Sequence, residues 1–174
     1  DMIPTSSTIN QLSIGDALAI STLKKKKINN LDFKKYHPSG SLGEKLKTVE
    51  DIMLTKDKIP FIDENKLMTK ALKIMTEKKL GTLIVRNEKK YTSGIITDGQ
   101  IRRFNSKNID LKFLKVKDVM TKNPIKIEKN ILATKALAIM NEKKITSLCV
   151  YEQKNKLKTV GILHIHNILN KKIY

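Results

Sequence analysis

Two segments of the chain have the hydrophobic spacing of an amphipathic helix. The apolar positions are Ala71, Leu72, Ile74 and Met75 in the first segment, and Ala136, Leu137, Ile139 and Met140 in the second. Spacings of three and four residues bring side chains onto one face of a helix, and polar residues fill the other positions. The pattern therefore predicts two helices, each with one buried face.

Short runs of mostly apolar residues, separated by polar loops, surround each of these helices and predict strands. A brief strand is expected before each helix, around Phe61–Ile62 and Ile125–Ile127. Two strands are expected after each helix, at Thr82–Arg86 and Ser93–Ile96 in the first case and at Ser147–Tyr151 and Thr159–Leu163 in the second. A last helix begins after Thr97 or His164. The order in each half is β-α-β-β-α, which predicts an α/β fold with a small sheet covered on one side by helices.

The two halves are copies of one unit. Residues 69–85 read TKALKIMTEKKLGTLIV and residues 134–150 read TKALAIMNEKKITSLCV, with 11 of 17 positions identical. The flanks repeat as well, since VEDIM precedes the first copy and VKDVM the second, and GIITDGQI is answered by GILHIHNI. An internal repeat predicts two similar units about a pseudo-two-fold axis. A groove between such units is a natural ligand site.

The residues before the repeat have a different character. A hydroxyl-rich stretch is followed by a helix predicted from about Ile14, where Ser13 and Asp16 resemble a capping box. A further short helix is expected at Leu42–Leu46. Because 48 residues are few for a stable domain, we interpret this segment as the tail of a larger domain.

Composition narrows the classes of function. The net charge is +18 and suggests anionic partners, but 32 of the 35 basic residues are lysines and the chain has no Trp. Nucleic-acid readers favour Arg and aromatic platforms, so a dedicated nucleic-acid function is disfavoured. No apolar run approaches the length of a membrane span, and no signal-peptide pattern is present. The one cysteine, Cys149, lies in an apolar run and is expected to be a core residue in a reducing cytoplasm.

The repeated motifs resemble a tandem pair of cystathionine-β-synthase (CBS) domains, through the VxDxM openings, the TKALxIM helices and the strand end at Gly94–Thr97. The ordered strings PTSST, GDALA, HPSGSLG, TDGQIRR and VKDVMT resemble the C-terminal half of the arabinose 5-phosphate isomerase family. That family joins a sugar isomerase (SIS) domain to a CBS pair. The resemblance implies an SIS remnant at residues 1–48, a first CBS domain at 49–113 and a second at 114–174.

The resemblance also implies an activity for the whole protein. Members interconvert D-ribulose 5-phosphate and D-arabinose 5-phosphate in the synthesis of the lipopolysaccharide sugar Kdo, without a cofactor. His37 matches the histidine of the family's HPGG-like motif, so a catalytic function is implied for it. The alternative is a polar histidine that ends a helix. Thr5, Ser6 and Ser7 are candidates for the sugar-phosphate pocket or for a solvated helix cap. The remaining catalytic residues are expected outside this sequence, so we expect the chain alone to be inactive.

The groove of the CBS pair is the second candidate site. In many CBS pairs a Thr or Ser after the last strand contacts phosphate or ribose, and an Asp three residues later holds ribose hydroxyls. Here the first copy has Thr97 and Gln100, and the second has His164 and Asn167, so both carboxylates are amides. Further candidates are Asn65, Asp98, Arg102, Asp118, Thr121 and His166. Asp118 has an alternative as a helix cap. A metal site at His164 and His166 is disfavoured because no third ligand lies at a suitable spacing.

Three functions stay open at this point. The pair of amides is compatible with a ligand that already carries negative charge, and the pathway's later product CMP-Kdo is one such effector, while an adenine nucleotide is another. A purely structural module that mediates homo-oligomerisation, including tetramer formation, would need no ligand. Nonspecific nucleic-acid binding through the lysines would be highly sensitive to salt.

Overall fold

The computed structural model describes residues 5–28, 32, 36, 40–107, 109–171 and 173. These residues form two compact units, residues 1–46 and 47–174 as numbered along the chain. The first unit contains helix α1 (Thr5–Lys25) and the short helix α2 (Gly40–Lys45). The prediction of a short helix around Leu42–Leu46 is thus confirmed. His37 and the two residues that follow it lie outside the described part of the chain.

The predicted start of the first helix was wrong. Helix α1 begins at Thr5 and not near Ile14, so Ser13 lies inside the helix. The Ser13 hydroxyl donates to the carbonyl oxygen of Ile9 at 2.9 Å. A serine that bonds back to the preceding turn is tolerated within a helix, so the serine did not mark a helix start. No residue of α1 is buried.

The second unit contains both repeats, and each has the predicted order β-α-β-β-α. The first comprises β2 (Phe61–Asp63), α4 (Met68–Lys78), β3 (Thr82–Arg86), β4 (Thr92–Thr97) and α5 (Asp98–Asn105). The second comprises β6 (Lys126–Glu128), α7 (Ala133–Lys143), β7 (Ser147–Tyr151), β8 (Gly161–His164) and α8 (Ile165–Leu169). Each repeat is preceded by a short helix and a two-residue strand, which are α3 (Val49–Ile52) with β1 (Leu54–Thr55), and α6 (Val116–Val119) with β5 (Thr121–Lys122).

These preceding elements are exchanged between the repeats. Strand β1 pairs antiparallel with β8, and β5 pairs antiparallel with β4, so each sheet borrows its fourth strand. The two sheets have the orders β1-β8-β7-β6 and β2-β3-β4-β5. The short helices are exchanged in the same way. Val49 of α3 is buried in the core of the second repeat, and Val116 of α6 is buried in the core of the first. The exchange ties the two repeats into one unit.

The valine, aspartate and methionine of the VxDxM motif each have a structural function in these preceding elements. The valine enters the neighbouring core, as described above. The aspartate caps its own short helix, since the backbone N–H of Thr48 donates to Asp51 Oδ2 at 2.6 Å and that of Lys115 donates to Asp118 Oδ2 at 3.1 Å. The methionine packs on a glycine of the other repeat, with Met53 against Gly161 and Met120 against Gly94. A side chain at either glycine would collide with that methionine.

The central strands are buried on both faces because the sheets also pack on each other. Leu83 and Val85 of β3 face the helices of the first repeat, while Ile84 joins a separate cluster with Cys149 and Ile162 of the other sheet. Alternate residues of a strand point to opposite faces. Cys149 is a fully buried core residue, as predicted. Burial raises the pKa of its thiol to about 11.

Candidate functional site

A groove with a volume of about 760 Å³ opens between the two repeats. It is lined by equivalent residues of both repeats, such as Lys79 with Lys144 and Leu80 with Ile145. Near it, the hydroxyls of Thr82 and Ser147 lie 3.0 Å apart in a buried contact. These two residues are also equivalent in the repeat. The two repeats therefore contribute equivalent residues to the groove, as the pseudo-two-fold repeat in the sequence predicted.

Most of the predicted groove residues line it. They are Thr97, Asp98, Gln100, Arg102, Thr121, His164 and His166. Asn65, Asp118 and Asn167 are not among the lining residues. The Asp118 carboxylate instead caps α6, as its alternative interpretation proposed. Ligand contacts of Asn65, Asp118 and Asn167 stay predictions, because none of the three lines this groove.

The helices that begin at the groove are capped in the same way in both repeats. The backbone N–H of Thr97 donates to Gln100 Oε1 at 2.8 Å, and the backbone N–H of His164 donates to Asn167 Oδ1 at 2.9 Å. The side chain of the third helical residue thus reaches back to the residue before the helix, as in a capping box. An amide oxygen satisfies this bond without adding negative charge to the groove.

Gln100 uses all of its hydrogen-bonding capacity within the protein. Its Oε1 accepts from the backbone N–H of Thr97 and, at 3.4 Å, from the Thr97 hydroxyl. Its Nε2 donates to the Thr121 hydroxyl at 2.5 Å and to the Val119 carbonyl oxygen at 3.4 Å. A primary amide has two acceptor and two donor positions. A ligand held by Gln100 would have to break one of these four bonds, so its predicted ligand contact stays a prediction.

His164 is half-buried and occupies the position in the second repeat that Thr97 occupies in the first. Its Nδ1 accepts from the backbone N–H of His166 at 3.3 Å, which places the ring proton on Nε2. The rings of His164 and His166 have centroids 5.0 Å apart. Burial lowers the pKa of His164, and the electrostatic effect of the neighbouring His166 lowers it further. Its Nε2–H is therefore a neutral donor at pH 7.

The charge of the groove is strongly positive. Arg102 and Arg103 belong to the last turn of α5, and Lys79 and Lys144 follow the ends of α4 and α7. Asp98 is the one carboxylate among the described residues that line the groove. Apolar side chains complete the walls, including Leu80, Ile95, Ile125 and Ile145. A groove with these properties favours an anionic ligand that also has an apolar part.

Sequence reasoning missed both groove lysines, and Arg103 was not among its groove candidates either. Lys79 and Lys144 adopt left-handed backbone conformations, with φ of 54° and 52°, where their helices end. Such residues end helices commonly, and they are usually glycine or asparagine. The repeated EKK at the end of each TKALxIM helix was the sequence signal that could have identified this pair.

The other predicted site lies in the first unit. Thr5, Ser6 and Ser7 form the first turn of α1 and are exposed. Their assignment to a sugar-phosphate pocket stays a prediction. Among the described residues no group of three or more His, Cys, Asp or Glu side chains is placed to hold a metal ion. None of the described helices combines the length and the apolar character that crossing a bilayer requires.

The repeats and their groove define a known class. The CBS domain family matches residues 49–107 and 116–173, and the chain belongs to that family. The two matches correspond to the two repeats, including the exchanged short helices.

Individual proteins that are similar to this chain indicate which CBS-containing proteins it resembles. The chain is 39% identical over 169 residues to arabinose 5-phosphate isomerase KdsD of Escherichia coli K12, a match that covers 97% of this chain and 51% of that protein. The KdsD protein of Yersinia pestis is 38% identical over the same length. An uncharacterized protein of Rickettsia prowazekii, RP505, is 36% identical over 167 residues. The predicted resemblance to this isomerase is confirmed, and the chain spans about half the length of these relatives.

Solved structures share the fold of the second unit. CBSX2 in complex with AMP has a TM-score of 0.63 and 22% identity, covering 72% of this chain and 96% of that one. The CBS pair of MJ0100, in complex with 5′-methylthioadenosine and S-adenosylmethionine, has a TM-score of 0.63 and 21% identity, covering 71% and 94%. A putative signal-transduction protein of Burkholderia ambifaria has a TM-score of 0.64 and 24% identity, covering 73% and 94%. At these identities the similarity establishes the tandem CBS fold alone.

Proposed function

We propose that this chain is the regulatory CBS portion of a cytoplasmic arabinose 5-phosphate isomerase, and that its groove binds an anionic nucleotide or nucleotide sugar as an effector. The whole enzyme would interconvert D-ribulose 5-phosphate and D-arabinose 5-phosphate and assemble as a homo-oligomer. The identity to KdsD across nearly the whole chain supports the parent activity. The observation that carries the effector proposal is the concentration of four cationic side chains around one carboxylate in the groove.

The chemistry of the groove supports a nucleotide-like ligand. The guanidinium groups of Arg102 and Arg103 and the ammonium groups of Lys79 and Lys144 suit phosphate or carboxylate oxygens. The apolar walls suit the face of a base. The structural neighbours CBSX2 and MJ0100 are seen with adenine-containing ligands, which supports the same general use of the fold.

The amides at Gln100 and Asn167 bear on which ligand is bound. A carboxylate at the groove position of Gln100 would lower the positive charge of the groove, whereas both amides cap their helices without adding negative charge. The groove therefore favours a ligand with more than one negative group. CMP-Kdo, which carries a phosphate and a carboxylate, meets this requirement better than AMP.

Calorimetric titration of the chain tests the proposal. CMP-Kdo, CMP, AMP and ATP would be added at physiological salt, since low salt exaggerates binding to a basic protein. We expect saturable binding of CMP-Kdo with a stoichiometry of about one per chain and weaker binding of CMP and AMP. A folded sample that binds none of the four contradicts the effector proposal.

A structural module without a ligand is the second candidate, and the saturated hydrogen bonds of Gln100 favour it. This side chain joins α5 to the exchanged strand β5 through Thr121, which is a structural function. Absence of binding together with a concentration-dependent oligomer would support this candidate. Nonspecific nucleic-acid binding predicts instead an affinity that collapses between low and physiological salt.

The isomerase activity is tested separately. We expect the chain alone to show no turnover of D-ribulose 5-phosphate, and a protein that contains the complete SIS domain to show turnover. Replacement of His37 by Asn in that longer protein should then reduce the rate by about a hundredfold or more if His37 transfers a proton. An unchanged rate would leave His37 without a catalytic function.

A further inference from the structure

A second cavity of about 380 Å³ lies beside the groove, between α4 and α5 of the first repeat. Lys79, Gly81 and Asp98 line both cavities. We call this smaller cavity the notch. Because the two cavities share three lining residues, a molecule in the groove that is long enough would extend into the notch.

Gly81 leaves room for a carboxylate at the place where the groove and the notch meet. Gly81 has a left-handed backbone with φ of 60°, and a Cβ on it would lie 2.6 Å from Asp98 Oδ2. The backbone N–H of Asp98 donates to the Gly81 carbonyl oxygen at 3.0 Å, which holds the aspartate over this turn. The carboxylate is thus seated where groove and notch meet, and it is exposed.

The second repeat has different residues at the corresponding positions. The residues equivalent to Gly81 and Asp98 are Thr146 and Ile165, so that turn carries a side chain and no carboxylate. The isoleucine that lines the notch, Ile101, is partly exposed, whereas its equivalent Ile168 is fully buried in the core. The lining of the notch therefore combines a glycine, a carboxylate and an accessible isoleucine that the second repeat does not have at the equivalent positions.

The lining of the notch has the chemistry that binds a sugar ring. Leu72, Met75 and Ile101 supply an apolar wall for the C–H face of a ring. The Asp98 carboxylate accepts hydrogen bonds from hydroxyl groups, and the Lys79 ammonium group donates to them. A few convergent polar groups on an otherwise apolar surface are typical of small-molecule sites.

We propose that the notch binds the sugar moiety of a nucleotide sugar whose anionic part lies in the groove, and that Asp98 reads the sugar hydroxyls. This inference rests on the proposed function and makes it more specific, since it selects nucleotide sugars over mononucleotides. The ligand is held in a single orientation, because the second repeat has Thr146 and Ile165 in place of Gly81 and Asp98.

The test measures how much a sugar adds to binding. The 174-residue chain would be titrated with two matched pairs of ligands, CMP-Kdo with CMP and ADP-glucose with ADP. We expect at least one sugar-bearing ligand to bind about tenfold or more tightly than its matching nucleotide. Equal affinities within both pairs overturn the notch while leaving the nucleotide groove in place. No binding of any of the four overturns the notch and the proposed function together.

Variants of the chain make the test specific to the notch. Asp98→Asn removes the charge without changing the shape, and Leu72→Phe fills the cavity. We expect each to reduce the affinity ratio of the responding pair to about twofold or less. Asp57→Asn removes an exposed carboxylate that lines neither cavity, and we expect it to preserve the ratio. Thermal melting of each variant confirms folding. A ratio that survives both Asp98→Asn and Leu72→Phe in folded protein overturns the proposal.

Discussion

The side chains of Thr82 and Ser147 hydrogen-bond to each other at 3.0 Å in the interior, although 65 residues separate them in the sequence. They occupy the same position in the two repeats, at the start of β3 and β7. A second equivalent pair, Thr92 and Thr159, is joined in the same way at 2.7 Å. The contact between the repeats thus contains two hydrogen bonds, each between equivalent residues of the two repeats. The groove opens beside one of these pairs.

Removing one hydroxyl of the first pair should destabilise the protein. Thr82→Val keeps the shape of the side chain but leaves the buried Ser147 hydroxyl without its partner, which costs about 1–3 kcal/mol. The double variant with Ser147→Ala should lose less than the sum of the single variants, because neither position then carries an unpaired polar group. Urea denaturation measures all three. Strict additivity would show that the pair does not couple the repeats.

The glycines that receive the exchanged methionines should not tolerate a side chain. A Cβ at Gly94 would collide with the Met120 side chain and lie 2.9 Å from the Thr121 carbonyl oxygen, so Gly94→Ala should destabilise the protein by about 1–3 kcal/mol. Gly99→Ala is the matched control, because its Cβ meets nothing closer than the Thr97 hydroxyl at 3.8 Å. Within α5 this change should stabilise by about 0.5–1 kcal/mol. Equal effects of the two substitutions on the urea midpoint would contradict the exchange.

Prediction from the sequence succeeded where local patterns were sufficient. The strands Thr82–Arg86 and Ser147–Tyr151 have the predicted bounds, because a short run of apolar residues between polar loops is typical of a buried strand. The strands Leu54–Thr55 and Thr121–Lys122 were missed. Two residues have no periodicity, and their partners lie in the other repeat, so no local pattern could reveal them.

The same distinction applies to the groove. Thr97 and His164 were found because they end strands of a repeated motif, and the structure brings both to the groove. Lys79 and Lys144 were missed because helix-terminal lysines are common on solvated surfaces. The commitment of Gln100 to Thr121 could not be predicted, since it depends on the exchanged strand.

The stability of the chain should depend on pH through His164. Burial lowers the pKa of this side chain in the folded state, so the unfolded state binds more protons as the pH falls below about 6.5. Stability should therefore decrease on acidification through the pKa of the unfolded histidine and onward through that of the folded one. His164→Asn retains an acceptor at the start of α8 and should remove this part of the pH dependence. Urea midpoints between pH 7.5 and 5 measure it, and identical pH profiles for the two proteins would contradict the assignment.

The Cys149 thiol should be unreactive in the folded protein. Its side chain is fully buried, and its pKa of about 11 leaves only about a thousandth of it as thiolate at pH 8. Labelling with a disulfide reagent should thus be slow in buffer and immediate in denaturant. Rapid labelling of folded protein would show that the cluster between the two sheets opens readily.

The central claim is that the cationic groove binds an anionic ligand, and a comparison of two charge-matched variants tests it most directly. The chain with Arg102→Gln and Lys144→Gln loses two groove cations, whereas the chain with Lys70→Gln and Lys73→Gln loses two exposed cations of α4 that do not line the groove. Titration with CMP-Kdo at physiological salt should show about tenfold or greater loss of affinity for the first variant and an affinity close to that of the unaltered chain for the second. Equal losses for both variants would show that binding depends on net charge alone and would contradict the groove as a specific site.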